Sequence, residues 1–250
     1  MTDDRVISIG VLTPHAAAGP EVELPDMAPG RVVTRIARIE APGGDALTPG
    51  EPPTSPSGLL ALTVPSALDD AAAAFAGGSV DAIGYASTST GYAIGPDAEA
   101  AMLERLSQRW SLPVAGTSLS AGAALRALDV GRVALVHPPW FDDELNNLGS
   151  MYFRSQGFDV VSSESADLAN HPSLIEPGAI VDWICRNLDD DAQGVFIGGS
   201  GFRAARAIEA LEERLERPVI ESNQVLLWSI LARVDADIEV GGYGRLFGRR

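Results

Sequence analysis

The sequence predicts an α/β protein built from two pseudo-symmetric halves, each a doubly wound parallel sheet, with the functional site between them. Two observations favour this fold. Short apolar runs, which are typical of buried strands, alternate with amphipathic segments, which are typical of helices. The order of these segments in the first half of the chain recurs in the second half, which indicates an internal duplication. Such alternation covers both faces of a mostly parallel sheet with helices.

In the first half, strands and helices follow from hydrophobic pattern and turn residues. A stretch rich in proline, glycine, serine and threonine over residues 41–58 predicts a surface or active-site loop, and residues 59–64 are interpreted as a short strand or the edge of that loop. Ser66 is the predicted N-cap of the helix that follows. The predicted strands cover residues 5–12, 31–39, 79–83 and 112–118, the last of which ends in a turn. The predicted helices cover residues 66–75, 97–110 and 119–128.

The second half shows the same alternation. Its predicted strands cover residues 132–137, 158–162, 194–198 and 217–223, and its predicted helices cover residues 141–156, 177–188, 202–215 and 224–232. We therefore assign residues 1–118 to an N-terminal half and residues 132–223 to a C-terminal half. Residues 119–131 and 224–250 are candidates for helices exchanged between the halves.

Three pairs of segments carry the duplication. Residues 6–14 correspond to 133–138, residues 81–86 with their Ser/Thr/Gly loop correspond to 194–198 with their Gly-Ser-Gly loop, and residues 112–118 correspond to 217–223. In doubly wound (flavodoxin-like) sheets, ligands bind beyond the carboxyl ends of the strands. Two halves that face each other would bring four loops around one cleft. These loops are residues 13–15, 87–91, 137–140 and 199–201.

Composition and charge exclude several classes of function. The chain has 250 residues and a formal net charge of −16, so it offers no basic surface for a nucleic acid. No apolar run is long enough to span a membrane, and the first residues do not resemble a signal peptide, so we expect a cytoplasmic protein. The sequence contains no lysine, which excludes a Schiff base or a P-loop lysine.

Cysteine and histidine are too few and too scattered for a metal site. The three histidines have no acidic or cysteine neighbours at ligand spacing. The single cysteine, Cys185, lies in a predicted amphipathic helix, where apolar packing is its expected role.

The most informative stretch follows the strand at residues 79–83. Small hydroxyl residues and glycine come there directly before a helix, where side-chain hydroxyls and backbone N–H groups can hold an anion. A polar turn that only caps the helix explains the same residues, so both interpretations stay open at this point.

These loops resemble those of a known enzyme family. Residues 85–92, here called the first loop, read Tyr-Ala-Ser-Thr-Ser-Thr-Gly-Tyr and are similar to the Tyr-Ala-Cys-Thr-Ser-Gly-Ser loop of the aspartate/glutamate racemase superfamily. Residues 196–203, the second loop, resemble its Phe-Ile-Ser-Cys-Thr-Asn-Leu-Arg loop. Residues 218–228 and 242–247 are also similar, so the resemblance covers nearly the whole chain. It is strongest to maleate cis-trans isomerases and arylmalonate decarboxylase.

The resemblance implies a reaction next to a carboxylate of a small carboxylic or dicarboxylic acid. It implies isomerisation or decarboxylation through an enediolate-like intermediate, no cofactor, and a homo-oligomer. Two-base members of the superfamily carry one cysteine in each loop, and Ser87 and Gly199 occupy these two positions here. Two-thiol racemisation and thiolate addition to maleate are therefore excluded, because neither residue supplies a thiolate.

The resemblance also assigns substrate-binding residues. The group that we call the carboxylate cradle comprises Thr88, Ser89, the backbone amides of Ser200 and Gly201, and Trp140 in place of the family's tyrosine. Pro14 and Gly199 complete the predicted substrate-binding set. Such donors would stabilise negative charge that develops on the bound carboxylate.

A proton donor other than cysteine is then required. His15 and His137 end the equivalent first strands of the two halves, and imidazole titrates near neutral pH, so both are candidates beside Ser87. Either histidine could equally be an ordinary loop residue. Two other functions stay open: a carboxylate-binding protein without catalysis, and a lyase or hydratase that uses the Ser87 hydroxyl.

Overall fold

Two four-stranded parallel sheets form the framework of the protein. The structure is a computed structural model that describes residues 5–14, 18–40 and 55–249. The first sheet contains β1 (Ile7–Thr13), β2 (Val32–Arg38), β3 (Ala82–Tyr85) and β4 (Val114–Gly116). The second contains β5 (Arg132–His137), β6 (Asp159–Ser165), β7 (Gly194–Ile197) and β8 (Val219–Glu221). The strand orders are β2-β1-β3-β4 and β6-β5-β7-β8, so the predicted pseudo-symmetric, doubly wound α/β fold is confirmed.

Helices flank both sheets. In chain order they are α1 (Pro20–Met27), α2 (Pro56–Ala61), α3 (Pro65–Ala72), α4 (Thr88–Ile94), α5 (Pro96–Trp110), α6 (Thr117–Ala127), α7 (Asp143–Ser155), α8 (Pro177–Asn187), α9 (Ile208–Leu215) and α10 (Ser222–Arg233). Within the described ranges, no helix is long and apolar enough to cross a membrane.

The strand register aligns the segments that build the site. Tyr85, the last residue of β3, pairs with Gly116, the last residue of β4. In the second sheet, Ile197 at the end of β7 pairs with Glu221 at the end of β8. Each loop therefore leaves its sheet beside the start of the helix that follows the fourth strand, α6 in one half and α10 in the other.

Helix α10 follows the second sheet but packs against the first. A side chain at Gly84 of β3 would lie 3.1 Å from the Cδ1 atom of Ile230 and 3.2 Å from the Cδ2 atom of Leu226. Glycine at this position therefore lets α10 approach the strand closely. The exchange of residues 119–131 and 224–250 between the halves and the division of the chain at residues 118 and 132 stay predictions.

Local predictions were wrong where proline sets a helix start. Residues 59–64 contain no strand, because α2 covers Pro56–Ala61 and the next residues form a turn. Ser66 is not an N-cap, since α3 begins one residue earlier at Pro65, with Val64 in the N-cap position. Proline favours the first helical turn because its φ angle is fixed there and it lacks an N–H group.

Two further helix predictions need correction. The helix predicted over residues 202–215 begins later, as a 3-10 turn over Ala205–Ala207 that continues into α9. Helix α1 was not predicted, since its eight residues include Pro20 and Pro25 and show little apolar periodicity. Of the predicted loop over residues 41–58, residues 41–54 lie outside the described part of the chain.

Candidate active site

The first and second loops meet directly, although they lie far apart in sequence. The backbone N–H of Gly199 donates a hydrogen bond to the Oγ1 atom of Thr88, with an N–O distance of 3.1 Å. This contact connects the two halves through the residues that follow the equivalent strands β3 and β7. The structure thus brings together the two loops that the sequence places at the carboxyl ends of their sheets.

The loops lie in the interior of the protein. Thr88 is 1% exposed, Ser89 is 5% exposed and Ser200 is fully buried. Pro14, Gly199 and Gly201 are also buried, while Trp140 is half-buried and packs edge-on against Phe202 of the second loop. Hydrogen bonds to a charged group are stronger in such water-poor surroundings than at the surface.

The second loop carries donors without acceptors. Among residues 5–14, 18–40 and 55–249, neither the N–H of Ser200 nor that of Gly201 has an acceptor. The Ser200 hydroxyl is buried and has no partner within the same ranges. Buried polar groups nearly always have a hydrogen-bond partner. These two N–H groups and the hydroxyl, which lie in adjacent residues, can therefore donate to a bound anion.

Ser87 has a structural role in the first loop. It is the N-cap of α4, where its Oγ atom accepts a hydrogen bond from the backbone N–H of Thr90 at 3.3 Å and lies 2.8 Å from the Thr90 hydroxyl. In the described part of the chain, no histidine is hydrogen-bonded to Ser87. A serine without an adjacent base is a weak nucleophile.

His137 is a buried, neutral ring at the end of β5. Its Nε2 atom lies 3.2 Å from the Ser163 hydroxyl, and the ring stacks on Phe141 and meets Tyr92 edge-on. Burial lowers the pKa of His137 to about 3, so the ring is uncharged at neutral pH. His15, the other predicted donor, lies outside the described residues.

Gly199 stands where a side chain does not fit. Its φ angle is +89°, in the left-handed region, and a Cβ atom there would lie 2.8 Å from the Cγ atom of Pro138. A cysteine at position 199 would therefore require more than one substitution, because both the backbone conformation there and the neighbouring Pro138 favour glycine. The only cysteine of the chain, Cys185, lies on α8 and not in either loop.

Three buried glutamates near the loops were not recognised in the sequence. Burial raises the pKa of Glu99 to about 7 and that of Glu23 to about 7, in each case against hydrogen bonds that favour the charged form. Burial, together with the charge of Glu23, raises the pKa of Glu221 well above its ordinary value. Sequence pattern could not find them, since glutamate side chains are seldom fully buried, whether they lie on a helix or at the end of a strand.

The raised pKa of Glu99 predicts a stability that falls with rising pH. The unfolded chain releases this proton near pH 4.5, whereas the folded protein holds it up to about pH 7. Between these values the folded state binds more protons than the unfolded state, so the free energy of unfolding decreases as the pH increases. We expect Glu99→Gln to reduce this decrease between about pH 4.5 and about pH 7, measured by urea unfolding at several pH values.

Glu104 offers a matched control for that measurement. It lies on the same helix, α5, but its side chain is exposed and accepts a hydrogen bond from Gln108. Glu104→Gln should therefore keep the wild-type pH dependence. If Glu99→Gln also keeps it, Glu99 does not titrate between the folded and unfolded values given above. Glu23 and Glu221 contribute a slope of the same sign, so some pH dependence remains in the variant.

Comparisons with known proteins identify similar sequences and folds. The sequence model of the arylmalonate decarboxylase family matches residues 62–247. Arylmalonate decarboxylase of Bordetella bronchiseptica is 25% identical over 165 residues, which cover 64% of this chain and 68% of that protein. A crystal structure of arylmalonate decarboxylase covers 97% of this chain and 100% of its own, with a TM-score of 0.76 and 21% identity.

Two maleate isomerases have the same fold. The maleate cis-trans isomerase of Nocardia farcinica, bound to TRIS, has a TM-score of 0.81 at 23% identity, over 97% of this chain and 98% of its own. The maleate isomerase of Pseudomonas putida S16 has a TM-score of 0.81 at 21% identity, over 97% and 98% of the two chains.

Proposed function

Because the chain belongs to the arylmalonate decarboxylase family, within the aspartate/glutamate racemase superfamily, we propose that it is an enzyme of the isomerase or decarboxylase type. Its substrate is a small carboxylic or dicarboxylic acid, and the reaction occurs next to a carboxylate. The intermediate is enediolate-like, and neither loop contributes a thiol, since Ser87 and Gly199 stand at the two cysteine positions.

One observation carries the proposal: two buried loops from the two halves are in contact, and hydrogen-bond donors in them have no acceptor within the described ranges. The Thr88 oxygen accepts the N–H of Gly199, so its own hydroxyl hydrogen stays available to a ligand. The N–H groups of Ser200 and Gly201 have no acceptor within the described ranges. A carboxylate bound there gains negative charge as an enediolate forms, and each well-placed donor lowers the barrier by about 3 kcal/mol.

For a malonate the step balances without any redox partner. The bond between the α-carbon and one carboxyl group breaks, carbon dioxide leaves, and the electron pair passes into the remaining carboxylate as an enediolate. The cradle donors stabilise that charge, and a proton then adds to the α-carbon. Trp140, which is half-buried and packs against Phe202, supplies aromatic surface beside the second loop, which fits a substrate with an apolar substituent.

We assign the proton-donor role first to His15. It follows the end of β1 by two residues in the sequence, and histidine is the residue type whose ordinary pKa lies near neutral pH. His137 ranks second, because a ring with a pKa of about 3 is not protonated at neutral pH and is a poor acid. Ser87 ranks third, since its oxygen caps α4.

A substrate screen in heavy water tests this function. The protein is incubated with maleate, phenylmalonate, methylmalonate and dicarboxylic amino acids, and deuterium at the α-carbon and release of carbon dioxide are followed by NMR. We expect turnover of at least one malonate or of maleate, and the same turnover after treatment with EDTA. Binding of these acids without exchange or cleavage would contradict the enzyme and favour the second candidate.

That second candidate is a carboxylate-binding protein without catalysis. It is favoured by one observation: the two loops retain their donors, but neither has a thiol at the cysteine position. A lyase or hydratase that uses the Ser87 hydroxyl is the remaining alternative. This alternative predicts that turnover disappears in Ser87→Ala. The stability of this variant must also be measured, because Ser87 caps α4.

A further inference from the structure

Each of the two loops is held by a pair of hydrogen bonds, and the two pairs are equivalent. In each half the donors lie at the start of the helix after the fourth strand. In the first half, the Thr117 hydroxyl at the start of α6 donates to the carbonyl oxygen of Tyr85, the last residue of β3, at 3.2 Å. In the second half, the Ser222 hydroxyl at the start of α10 donates to the carbonyl oxygen of Ile197, the last residue of β7, at 3.1 Å. These bonds fasten the ends of the strands.

The next residue of each helix fastens the loop itself. The Ser118 hydroxyl donates to the carbonyl oxygen of Thr88 at 3.3 Å. The Asn223 side-chain amide donates to the carbonyl oxygen of Ser200 at 2.9 Å. Each acceptor lies three residues beyond the end of its strand, so Ser118 and Asn223 are equivalent in the duplicated fold.

A buried carboxylate caps each of these helices at the same place. Glu221 accepts the backbone N–H groups of Asn223 and Gln224 at 2.8 Å and 3.1 Å. In the first half, Glu99 accepts the N–H groups of Ser118 and Leu119, the latter at 3.4 Å.

The first half supplies this carboxylate from another helix. Gly116 is the residue equivalent to Glu221, since both end the fourth strands. A Cβ atom at Gly116 would lie 2.5 Å from the Oε1 atom of Glu99. The Glu99 carboxylate, which comes from α5, therefore occupies the space that a side chain at residue 116 would take. The same cap is built in both halves from different parts of the chain.

The second loop has an additional support from α1. The Asn223 amide also donates to the Oε2 atom of Glu23 at 2.6 Å, while the Oε1 atom of Glu23 accepts the N–H of Ala205 at 2.9 Å. A Cβ atom at Gly19 would lie 2.2 Å from the carbonyl oxygen of Ser200. Backbone and side chains thus enclose this carbonyl group from two segments that are remote in sequence.

A fixed carbonyl group also fixes the N–H group of the next residue. The described chain contains no cis peptide bond, and in a planar trans peptide the N–H points away from the preceding carbonyl oxygen. The bond from Asn223 to Ser200 therefore sets the direction of the Gly201 N–H, and the bond from Ser118 to Thr88 sets that of the Ser89 N–H. Both Ser89 and Gly201 belong to the carboxylate cradle.

We propose that Ser118 and Asn223 are equivalent positioning residues that orient the two carboxylate-binding loops, one in each half. This inference rests on the proposed function only for the identity of the ligand that the two loops bind. Preorganised donors stabilise developing charge better than mobile ones, because no reorganisation is needed during the reaction. The neighbouring residues Thr117 and Ser222 hold strand ends instead, and so provide matched controls.

The experiment compares Ser118→Ala and Asn223→Ala with Thr117→Val and Ser222→Ala. Each variant removes a buried hydrogen bond to a main-chain carbonyl group beside one loop. We expect the backbone ¹⁵N order parameters of Ser89 in Ser118→Ala and of Gly201 in Asn223→Ala to fall from about 0.85 to below about 0.6, and to stay near the higher value in the controls. We also expect the dissociation constant for malonate to rise about tenfold only in the first two variants.

The outcomes separate this inference from the proposed function. Order parameters and malonate affinities that match those of the controls would overturn the positioning role. If wild-type protein binds neither malonate nor any acid of the substrate screen while the order parameters change as expected, the positioning role stands and the proposed function fails. Should Asn223→Ala not fold, because it leaves the Oε2 atom of Glu23 without its donor, the smaller change Ser118→Ala decides the question by itself.

Discussion

Replacing Thr88 by alanine is expected to lower the turnover of the substrate found in the heavy-water screen by about 10²–10³-fold, the usual effect of removing one donor to a developing oxyanion. The Thr88 oxygen accepts the N–H of Gly199 at 3.1 Å and is buried, so its hydroxyl hydrogen is free for the carboxylate. The measurement is kcat and KM for that substrate, with kcat expected to carry most of the loss because the donor acts on charge that develops during the reaction.

Thr88→Ser is the matched control for this prediction. Serine keeps the hydroxyl, and we expect its turnover to stay within about tenfold of the wild-type value. The alanine variant also leaves the Gly199 N–H without an acceptor, which costs about 1–3 kcal/mol of stability. Rates are therefore compared at a temperature where both variants are folded. Equal rates for the serine and alanine variants would show that the Thr88 hydroxyl does not act on the substrate.

Replacing Gly199 by alanine is expected to destabilise the protein by about 2–5 kcal/mol. A φ angle of +89° costs an L-residue about 1–2 kcal/mol, and overpacking against Pro138, whose Cγ atom would lie 2.8 Å from the new Cβ, adds about 1–3 kcal/mol. The free energy of unfolding is measured in urea. For the same reason, the double variant Ser87→Cys/Gly199→Cys should not produce a stable two-thiol site.

Gly157 separates the two contributions. Its φ angle is +90°, but a Cβ atom there would have nothing within 4 Å. Gly157→Ala should therefore show the backbone cost alone, about 1–2 kcal/mol. Pro138→Ala should recover most of the difference when it is combined with Gly199→Ala, since the Cβ atom of residue 138 would be 3.6 Å away. If both glycine variants lose the same stability, contact with Pro138 is not the reason for glycine at position 199.

The sequence by itself determined the architecture and identified two loops that lie in contact. Apolar runs and turn residues are local signals, and they identified all eight strands that the structure describes, with boundaries shifted by up to a few residues. The duplicated order of segments predicted two equivalent sheets, and loops at the carboxyl ends of β3 and β7 were predicted to meet. The contact between Thr88 and Gly199 joins those two loops.

Helix starts were predicted less well than strands, and the reason is also local. Proline at position 65 moved the start of α3 away from Ser66, and the prolines of α1 obscured that helix. The roles of Ser118 and Asn223 had one signal in the sequence, since each ends one of the two matched segments 112–118 and 217–223. Matching these segments residue by residue would have identified the two residues as equivalent, although not what they bind.

Only the tertiary structure decided which polar groups are buried and what they contact. His137 and Glu99 belong to residue types that usually meet water, yet both are fully buried, and burial moves their pKa values in opposite directions. The conflict between Gly199 and Pro138 likewise arises between residues 61 positions apart. Burial and close contact depend on how distant segments pack, whereas periodicity and turn chemistry depend on neighbours in the chain, so the sequence specifies the framework and the packing specifies the chemistry of the site.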